Sequence, residues 1–531
     1  MPFNQRTTEP WPGYRRVPER LNIAREVLER PLADGLGEKP ALVWERGTIS
    51  YRELKRRVDA GARGLKRLGV RKGEPILIRM PNSTEFAIAF LALIELGAIP
   101  VLVNSLLSPA ELSTILEHAE PRIALTHASR AEALRQVQLE SSVAKIVCAG
   151  GAEAGEIAFE SLLGNNEEDL EAEDTAATEP AFIIYTSGTT GKPKGIVHAH
   201  RWLVALGDLN RFRLPPKGGD VIMATGEWSF ISALGHNLLF PLRNGVCGAI
   251  LHGRATPENI LETIQRHRVT VLYSVATVYR RILAVPAFEK HYDLRSLRCA
   301  NSTGEALLET TYHEWKRRVG CEIYEHYGVS ELQLVIGQGP GHPVKPGSIG
   351  KPAPGIQVAI LDNRDEPVRI SETGYFAISA EDPGLFLGYY KEPERTAAAL
   401  KGGWYRTGDL AYQDAEGCFF IAGRGDDCFK SRGIFISPTE VENALQRHPA
   451  VAEAAVIPEP DPEIGNKICA VVVLAEGHEP SPGLADSIRE ELRRHIAPFK
   501  VPQAIRFVRS LPKSPVGKIL RSELAKEKSM L

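Results

Sequence analysis

Residues 181–195 carry the side chains best suited to chemistry in this sequence. The stretch begins at 181–185 with a short apolar run rich in β-forming residues, which predicts a buried strand. Ten residues made only of Thr, Ser, Gly, Lys and Pro follow. Glycines free the backbone to turn its N–H groups towards one point, while hydroxyls and lysines add donors and positive charge. The candidate anion-binding residues are Thr186, Ser187, Gly188, Thr189, Thr190, Gly191 and Lys194.

Two other interpretations of this loop have less support. A flexible surface loop is not expected directly after a core strand, nor with two lysines. A nucleoside-triphosphatase P-loop has four residues between its first glycine and Gly-Lys, followed by Ser or Thr. Here two residues separate Gly188 from Gly191, and Lys192 is followed by Pro193. The loop instead resembles the phosphate loop of the adenylate-forming superfamily, which includes acyl- and aryl-CoA synthetases, luciferases and peptide-synthetase adenylation domains.

Residues 325–331, Glu-His-Tyr-Gly-Val-Ser-Glu, offer a carboxylate for a divalent cation. Mg²⁺ prefers one or two carboxylates together with phosphate oxygens. Taken alone, Ser330 could also be an ordinary helix N-cap before an acidic first turn. The segment resembles the superfamily's Tyr-Gly-x-Thr/Ser-Glu motif. That resemblance implies that Glu331 holds Mg²⁺, that Ser330 contacts phosphate, and that Glu331 and Thr186 take part in catalysis.

Two further motifs resemble the nucleoside-binding parts of the superfamily. Residues 302–306, Ser-Thr-Gly-Glu-Ala, resemble the adenine-binding turn, whose backbone reads the base edge while a tyrosine packs on the base. Residues 404–409, Trp-Tyr-Arg-Thr-Gly-Asp, end in a carboxylate that can accept both ribose hydroxyls through its two oxygens. The resemblance thus implies a nucleotide site that includes Gly304, Glu305, Ala306, Tyr327, Gly328, Ser330, Asp409 and Arg424.

The C-terminal residues 511–519, Leu-Pro-Lys-Ser-Pro-Val-Gly-Lys-Ile, resemble the superfamily's catalytic-lysine motif, with Ser514 in place of Thr. Lys518 would then bridge the carboxylate and the α-phosphate and offset the charge that builds during reaction. The family uses one site for adenylation and then for attack by a thiol, and its small domain rotates between the two steps. Asp426 matches the hinge position. Gly433 matches the glycine that lines the pantetheine tunnel for CoA.

Residues 226–237 form the candidate acid pocket, although apolar residues of this kind also occur simply as core. The segment resembles benzoate-CoA ligases, whereas 227–228, 278–280 and 345–351 resemble medium-chain acyl-CoA synthetases. Where benzoate ligases have an aromatic pocket residue this chain has a serine, and a serine beside a histidine suits a hydroxylated or otherwise polar acid. Aryl and short or branched aliphatic acids both stay open. The candidate lining residues are Trp228, Phe230, Ser232, Ala233 and His236.

The elements that must position these motifs alternate between strands and helices, which implies right-handed crossovers and a mainly parallel sheet. The predicted strands include 76–78, 101–103, 123–126, 249–251 and 269–274. The predicted helices include 51–68, 85–96, 110–118, 257–267 and 276–283. Residues 151–180 contain ten acidic residues and no Lys or Arg, which we interpret as a solvated connector. From about residue 347, short strands with frequent Gly and Pro predict a smaller β-rich unit.

We therefore predict an α/β protein of at least two domains, since 531 residues exceed what one hydrophobic core supports. Residues 1–425 are expected to form a large N-terminal portion of layered α/β sheets with a small β-rich subdomain, which binds ATP and the carboxylate. Residues 426–531 are expected to form a smaller, mobile α+β domain that carries the catalytic lysine.

Composition argues against several functional classes. The 64 Lys and Arg balance 66 Asp and Glu to a net charge of −2, so charge gives no case for a nucleic-acid partner. The longest apolar stretch, 86–103, is interrupted by Glu95, Gly97 and Pro100, so we expect no membrane span. Seven cysteines without CxxC spacing favour reduced thiols, and the first sixteen residues lack an apolar signal core. We expect a cytoplasmic protein and leave a homodimer open as its assembly.

Together these residues predict an ATP-dependent, AMP-forming carboxylate–CoA ligase. Its expected small-molecule partners are a carboxylic acid, ATP with Mg²⁺, and CoA. One rival is an adenylating enzyme that loads a carrier-protein pantetheine, and another is a nucleotide-binding protein without catalysis. The motif residues Glu331, Asp409, Arg424 and Lys518 argue against the second rival, because binding alone needs no lysine on the reacting oxygens.

Overall fold

The computed structural model describes residues 17–164, 170–187, 193–341, 343–425, 429–431, 434–461, 465–513 and 519–526. Of Ser187 only the backbone is described. Contacts divide the chain into two compact units. The larger contains residues up to Val358 together with Ile378–Tyr405, and the smaller contains Ala359–Ala377 together with residues from Arg406 onward. The predicted site residues outside the described ranges are Gly188, Thr189, Thr190, Gly191, Asp426, Gly433 and Lys518.

A nine-stranded sheet with a parallel core lies in the larger unit. Six neighbouring strands are parallel, and the antiparallel strands lie at the two edges. Because carboxyl ends of parallel strands share one edge, the loops after residues 224, 274, 303 and 327 leave the sheet side by side. In order across the sheet the strands are Lys351–Pro352, Ile336–Gly337, Glu322–Tyr327, Cys299–Thr303, Val271–Ser274, Val221–Ala224, Cys247–Ala249, Pro40–Trp44 and Gly47–Ser50.

The second sheet of the larger unit has eight strands and is also parallel at its core. Two antiparallel strands, Pro193–Ala199 and Gly388–Tyr389, complete one edge. Pro193–Ala199 pairs with Pro180–Ser187 in a hairpin, and the predicted phosphate loop lies between these two strands in the sequence. In order the strands are Gly388–Tyr389, Pro193–Ala199, Pro180–Ser187, Ile99–Leu102, Pro75–Arg79, Ile123–His127, Lys145–Ala149 and Ile157–Ala158. The mainly parallel arrangement predicted from the sequence is therefore confirmed in both sheets.

Helices connect these strands, and several begin and end where the sequence predicts. The predicted helices 257–267 and 276–283 are confirmed without change, whereas the strand predicted at 249–251 lies two residues earlier. The α-helices of the larger unit are Ile23–Ala33, Tyr51–Arg67, Thr84–Glu95, Pro109–Ala119, Glu132–Gln138, Arg201–Arg213, Ile231–Ala233, Phe240–Arg243, Pro257–His267, Ala276–Leu283, Phe288–His291, Glu309–Val319 and Pro393–Ala399. Short 3₁₀ turns are Ala128–Arg130 and Phe159–Leu163, and a π-helical turn is Leu234–Leu239.

Serines define the start of several helices. The side chains of Ser50, Ser83 and Ser108 each accept a hydrogen bond from the backbone N–H three residues later, which satisfies a donor that the helix cannot. At Ser108 the Glu111 side chain returns the bond and completes a capping box. The helix Thr84–Glu95 is buried on almost every side, which explains its nearly unbroken apolar sequence.

The interpretation of residues 151–180 as a solvated connector is wrong for their apolar part. The segment forms the strand Ile157–Ala158 and the turn Phe159–Leu163, and Phe159 and Leu162 are buried. Leu162 packs so closely on Gly64 that a Cβ at that glycine would lie 2.6 Å from the leucine Cβ. The acidic residues give the segment its polar composition, while its few apolar side chains pack against the helix Tyr51–Arg67.

The smaller unit carries most of a five-stranded sheet, together with a hairpin and a three-stranded sheet. The five strands are Val358–Leu361, Gly374–Ser379, Leu400–Lys401, Trp404–Gln413 and Phe419–Arg424. The hairpin and three-stranded sheet comprise Phe429–Ser431, Ile434–Ile436, Val451–Asp461, Gly465–Leu474 and Ala504–Val508. The helices are Pro438–Leu445, Pro482–His495, Pro498–Lys500 (3₁₀) and Arg521–Lys526.

The predicted fold class is confirmed: a mixed α/β protein with a large N-terminal portion of layered sheets and a smaller C-terminal domain. The boundary between residues 425 and 426 and the mobility of the C-terminal domain stay predictions. Among the described helices, none is both long enough and apolar enough to cross a membrane.

Glu325 gives this fold a pH dependence. Its side chain is buried, Oε1 accepts a hydrogen bond from the Leu307 N–H at 3.3 Å, and Oε2 has no partner among the described residues. Burial raises the pKa of Glu325 to about 8. The unfolded chain loses this proton near the usual glutamate pKa, whereas the folded chain keeps it, so the free energy of unfolding falls as pH rises between the two values.

We predict that Glu325→Gln removes this part of the pH dependence, because glutamine keeps the shape of the protonated acid and does not titrate. Between about pH 5 and about pH 8 the wild type should lose up to about 1.4 kcal/mol per pH unit relative to the variant. Urea unfolding of both proteins across this range measures the difference. Parallel pH profiles would show that Glu325 does not titrate as described.

Candidate active site

The loop 328–333 is fixed by side chains from the strand and helix that follow the predicted phosphate loop. His198 Nε2 donates to the Ser330 carbonyl at 3.0 Å, and Trp202 Nε1 donates to the Leu332 carbonyl at 3.1 Å. Both side chains are buried. Burial lowers the pKa of His198 to about 4, so the imidazole is neutral at physiological pH. These two bonds hold the backbone on either side of residue 331.

Glu331 lies between these anchors with its carboxylate buried against a cation. The Phe386 N–H donates to its carbonyl at 2.8 Å. Lys194 Nζ donates to Oε1 at 2.5 Å, and Tyr389 Oη donates to the same oxygen at 2.8 Å. Burial would raise the pKa of Glu331, but the charge of Lys194 and the two hydrogen bonds bring it below its usual range. The carboxylate is therefore ionised at neutral pH.

Thr186 and Lys194 face each other across the hairpin that encloses the predicted phosphate loop. Thr186 Oγ1 is buried and has no hydrogen-bond partner among the residues that the structure describes. A buried hydroxyl without a partner is costly, which makes it a candidate donor to a ligand. Because Lys194 also contacts Glu331, the hairpin and the loop 328–333 meet at this point.

The predicted adenine turn leaves the neighbouring strand at the same sheet edge. The strands that end at residues 303 and 327 are parallel neighbours. Gly304, directly after one strand, and Tyr327, the last residue of the other, therefore lie at the same edge of the sheet. Gly304 has a φ of +82°, a conformation that favours glycine. The Glu305 carboxylate accepts hydrogen bonds from the Thr277 N–H at 2.9 Å and its hydroxyl at 2.7 Å. Gly304, Glu305 and Ala306 are all exposed, as a binding turn requires.

Asp409 and Arg424 are brought together within the smaller unit. They lie opposite each other in an antiparallel pair of strands, and Arg424 Nη1 donates to Asp409 Oδ1 at 3.0 Å. The Asp409 N–H donates to Thr407 Oγ1 at 3.1 Å, and the aspartate side chain is buried. A Cβ at Gly408 would lie 3.1 Å from the guanidinium, so glycine leaves room for the pair. Their role towards a ribose stays a prediction.

Trp228, a candidate pocket residue, has the contacts of a core side chain. It is fully buried, its ring packs edge-on against Phe86 at 5.4 Å between centres, and Nε1 donates to Asn237 Oδ1 at 2.9 Å. These contacts fix the start of the candidate pocket segment. That Trp228 itself lines the acid pocket stays a prediction.

The other four candidates differ in exposure along one short segment. Phe230 is 38% exposed and Ser232 is half-buried, whereas Ala233 and His236 are buried. The His236 imidazole stacks on Tyr273 with 3.9 Å between ring centres. The segment thus passes from solvent into the face of the nine-stranded sheet, as the wall of a pocket would.

Three side chains that hold Glu331 and its loop were not predicted from the sequence: His198, Trp202 and Tyr389. A histidine inside the apolar run 196–199 was the one available signal, because a buried imidazole needs a hydrogen-bond partner. Tyr389 lies 58 residues from Glu331 and belongs to no spacing pattern that includes it.

The chain is similar to known proteins over nearly its whole length. Residues 31–390 match the family model of AMP-binding enzymes, and residues 440–518 match the AMP-binding enzyme C-terminal domain. The chain is 34% identical over 520 residues to the benzoate–CoA ligase of Thauera aromatica, which covers 96% of each sequence.

The structure is also similar to solved structures of other proteins. An anthranilate CoA ligase in complex with anthranoyl-AMP is 32% identical with a TM-score of 0.91, covering 98% of this chain and 100% of that one. A benzoate CoA ligase from Burkholderia xenovorans LB400 is 30% identical with a TM-score of 0.86, covering 95% and 99%. The predicted resemblance is confirmed: the chain belongs to the AMP-binding enzymes of the adenylate-forming superfamily.

Proposed function

We propose that this protein is an ATP-dependent, AMP-forming carboxylate–CoA ligase that acts on an aromatic acid. The observation that carries the proposal is the buried Glu331 carboxylate, held by Lys194 and Tyr389 where the phosphate-loop hairpin meets the loop 328–333. Relatives named as benzoate and anthranilate CoA ligases support an aromatic acid as substrate and CoA as acceptor.

Glu331 suits Mg²⁺ by its chemistry. Its carboxylate is ionised at neutral pH, and Mg²⁺ takes one or two carboxylates together with phosphate oxygens. When bound, the ion would neutralise charge on the ATP phosphates. Lys194 and Tyr389 both donate to Oε1, so they fix the direction in which the carboxylate points.

The reaction has two half-reactions at one site. In the first, an oxygen of the acid's carboxylate bonds to the α-phosphorus of ATP and the bond to pyrophosphate breaks. In the second, the CoA sulfur, having given up its proton, bonds to the acyl carbon and AMP leaves. The Thr186 hydroxyl and the Lys194 ammonium would donate to phosphate oxygens, and Lys518 would offset charge at the reacting oxygens.

The predicted adenine and ribose motifs would hold the nucleoside. The exposed turn 304–306 and Tyr327 would bind adenine, and Asp409 with Arg424 would bind the ribose hydroxyls. Residues 426–531 would move about Asp426 between the half-reactions. Among the described residues, Cys148, Cys247, Cys299, Cys321 and Cys469 are buried free thiols, in keeping with the cytoplasmic location that we also propose.

Pyrophosphate release with ATP, Mg²⁺ and CoA tests the proposal directly. The panel should contain benzoate, substituted benzoates, and short, branched and hydroxylated aliphatic acids. We expect aromatic acids to be turned over with stoichiometric consumption of free CoA. ATP binding without pyrophosphate release with any acid would contradict the proposal, and pyrophosphate release without CoA consumption would favour a carrier-protein acceptor.

The half-reactions should separate in two variants. Lys518→Ala should slow acid-dependent exchange of pyrophosphate into ATP by about a hundredfold or more while ATP binding is retained, because the lysine acts on developing charge. Gly433→Leu should retain exchange and lose thioester formation, because its side chain would block the pantetheine tunnel. Equal loss of both half-reactions in Gly433→Leu would count against that role.

Tyr389→Phe should weaken binding of Mg²⁺–ATP by about tenfold, because Glu331 loses a hydrogen-bond donor to Oε1. Calorimetry of Mg²⁺–ATP binding, or Mn²⁺ titration followed by electron paramagnetic resonance, measures the effect without turnover. Tyr390→Phe is the matched control, since its ring packs on His118 instead. Unchanged affinity in Tyr389→Phe, or an equal loss in the control, would refute the positioning role.

A further inference from the structure

His236 and Gln333 form a buried polar contact in the larger unit. His236 Nδ1 lies 3.1 Å from Gln333 Nε2 and 3.0 Å from the carbonyl oxygen of Ser232. The two side chains belong to residues that are only 3% and 5% exposed. Burial lowers the pKa of His236 to about 3, so the imidazole is neutral. The contact therefore joins two uncharged groups.

Two departures from regular backbone bring these side chains together. His236 lies in the π-helical turn Leu234–Leu239, a rare conformation that is found frequently at functional sites. Gln333 has a φ of +95°, which is unfavourable for any residue other than glycine. Strain of this kind persists only where the surroundings impose it, and it concentrates at ligand-binding sites.

Glycines on both sides make room for Gln333. A Cβ at Gly328 would lie 1.4 Å from the Gln333 carbonyl oxygen, and a Cβ at Gly235 would lie 2.7 Å from its Nε2. Both the backbone and the side chain of Gln333 are thus fixed by close approaches that only glycine allows. Gln333 also lies two residues after Glu331, in the same anchored loop.

Several polar atoms around this contact are buried without a partner. Among the described residues, His236 Nε2, Gln333 Oε1 and both amide atoms of Asn301 make no hydrogen bond. Asn301 is paired with Tyr273 in the sheet, so its side chain lies on the face where His236 stacks. Unpaired polar atoms lower stability, and apolar residues would serve a purely structural role better. A ligand with matching groups would satisfy them.

We propose that His236 and Gln333 select an aromatic acid whose ring carries a neutral hydrogen-bonding substituent, a hydroxyl or an amino group. The inference rests on the proposed ligase activity and adds the chemical class of its substrate. The exposed Phe230 and half-buried Ser232, which precede His236 in the chain, mark the side from which the ring enters.

The chemistry of the pair favours a neutral donor. Gln333 Oε1 is an acceptor and requires an O–H or N–H. The tautomer of His236 makes Nε2 either a donor or an acceptor, and a hydroxyl can satisfy both cases. Neither residue carries charge, so an ionised substituent would have no counter-charge in the pair. A methyl group would leave the same polar atoms unpaired.

The test compares acids that differ in one group. Hydroxybenzoates and aminobenzoates are paired with the methylbenzoate of the same ring position, and kcat/KM is measured from pyrophosphate release with ATP, Mg²⁺ and CoA. At least one hydrogen-bonding acid should exceed its methyl partner by about tenfold or more. Gln333→Leu and His236→Phe should each bring that ratio close to one. His236→Phe keeps an aromatic ring against Tyr273.

Gln338→Leu is the matched control, because its amide donates to backbone carbonyls of Lys345 and Ser348. It should keep the wild-type ratio. If the wild type turns over no acid in the panel, the proposed ligase function fails. If its kcat/KM for the methyl acids equals that for their hydrogen-bonding partners, the selectivity inference fails and the proposed ligase function stands. Equal losses for both members of a pair in Gln333→Leu and His236→Phe would show a structural role only and overturn the inference.

Discussion

A buried carboxylate must be paired with a cation or lose its charge, and the ion pair between Lys194 and Glu331 meets this requirement at the centre of the site. Removing one partner of such a pair typically destabilises a protein by about 3–5 kcal/mol. Tyr389 adds a second donor, while His198 and Trp202 fix the backbone on either side. The direction of the carboxylate is thus set by regular elements of the fold, which is what a site for a cation and a polyphosphate needs.

The same interaction joins the two sheets of the larger unit. Lys194 lies on Pro193–Ala199 of the eight-stranded sheet, and Glu331 follows Glu322–Tyr327 of the nine-stranded sheet. The predicted adenine turn and the candidate acid pocket begin at the carboxyl edge of the nine-stranded sheet, where ligands of parallel sheets bind. Gln333 continues the loop of Glu331 and contacts His236 of the candidate acid pocket. One anchored loop therefore places the group proposed to bind the cation and a group proposed to select the acid.

Local sequence signals predicted the candidate site residues better than they predicted the residues that hold them in place. Fixed spacings located Lys194 and Glu331, and alternating apolar runs located the parallel strands, because both signals lie within a few residues. The contact of Tyr389 with Glu331 spans 58 residues and depends on a two-residue edge strand, so no local pattern indicates it. The positive φ of Gln333 likewise goes with a close approach of its carbonyl oxygen to Gly328, which no local pattern indicates. In residues 151–180 the acidic composition concealed the burial of Phe159 and Leu162, because the mean polarity of a segment does not show which side chains pack.

The proposed reaction requires that a carboxylate oxygen of the acid attacks the α-phosphorus of ATP. The most direct measurement uses an aromatic acid labelled with ¹⁸O in both carboxylate oxygens, incubated with the enzyme, ATP, Mg²⁺ and CoA, and mass spectrometry of the phosphate products. We predict AMP that carries one ¹⁸O atom, together with unlabelled pyrophosphate. Labelled orthophosphate with ADP as the nucleotide product would mean attack at the γ-phosphorus and would contradict the proposed reaction.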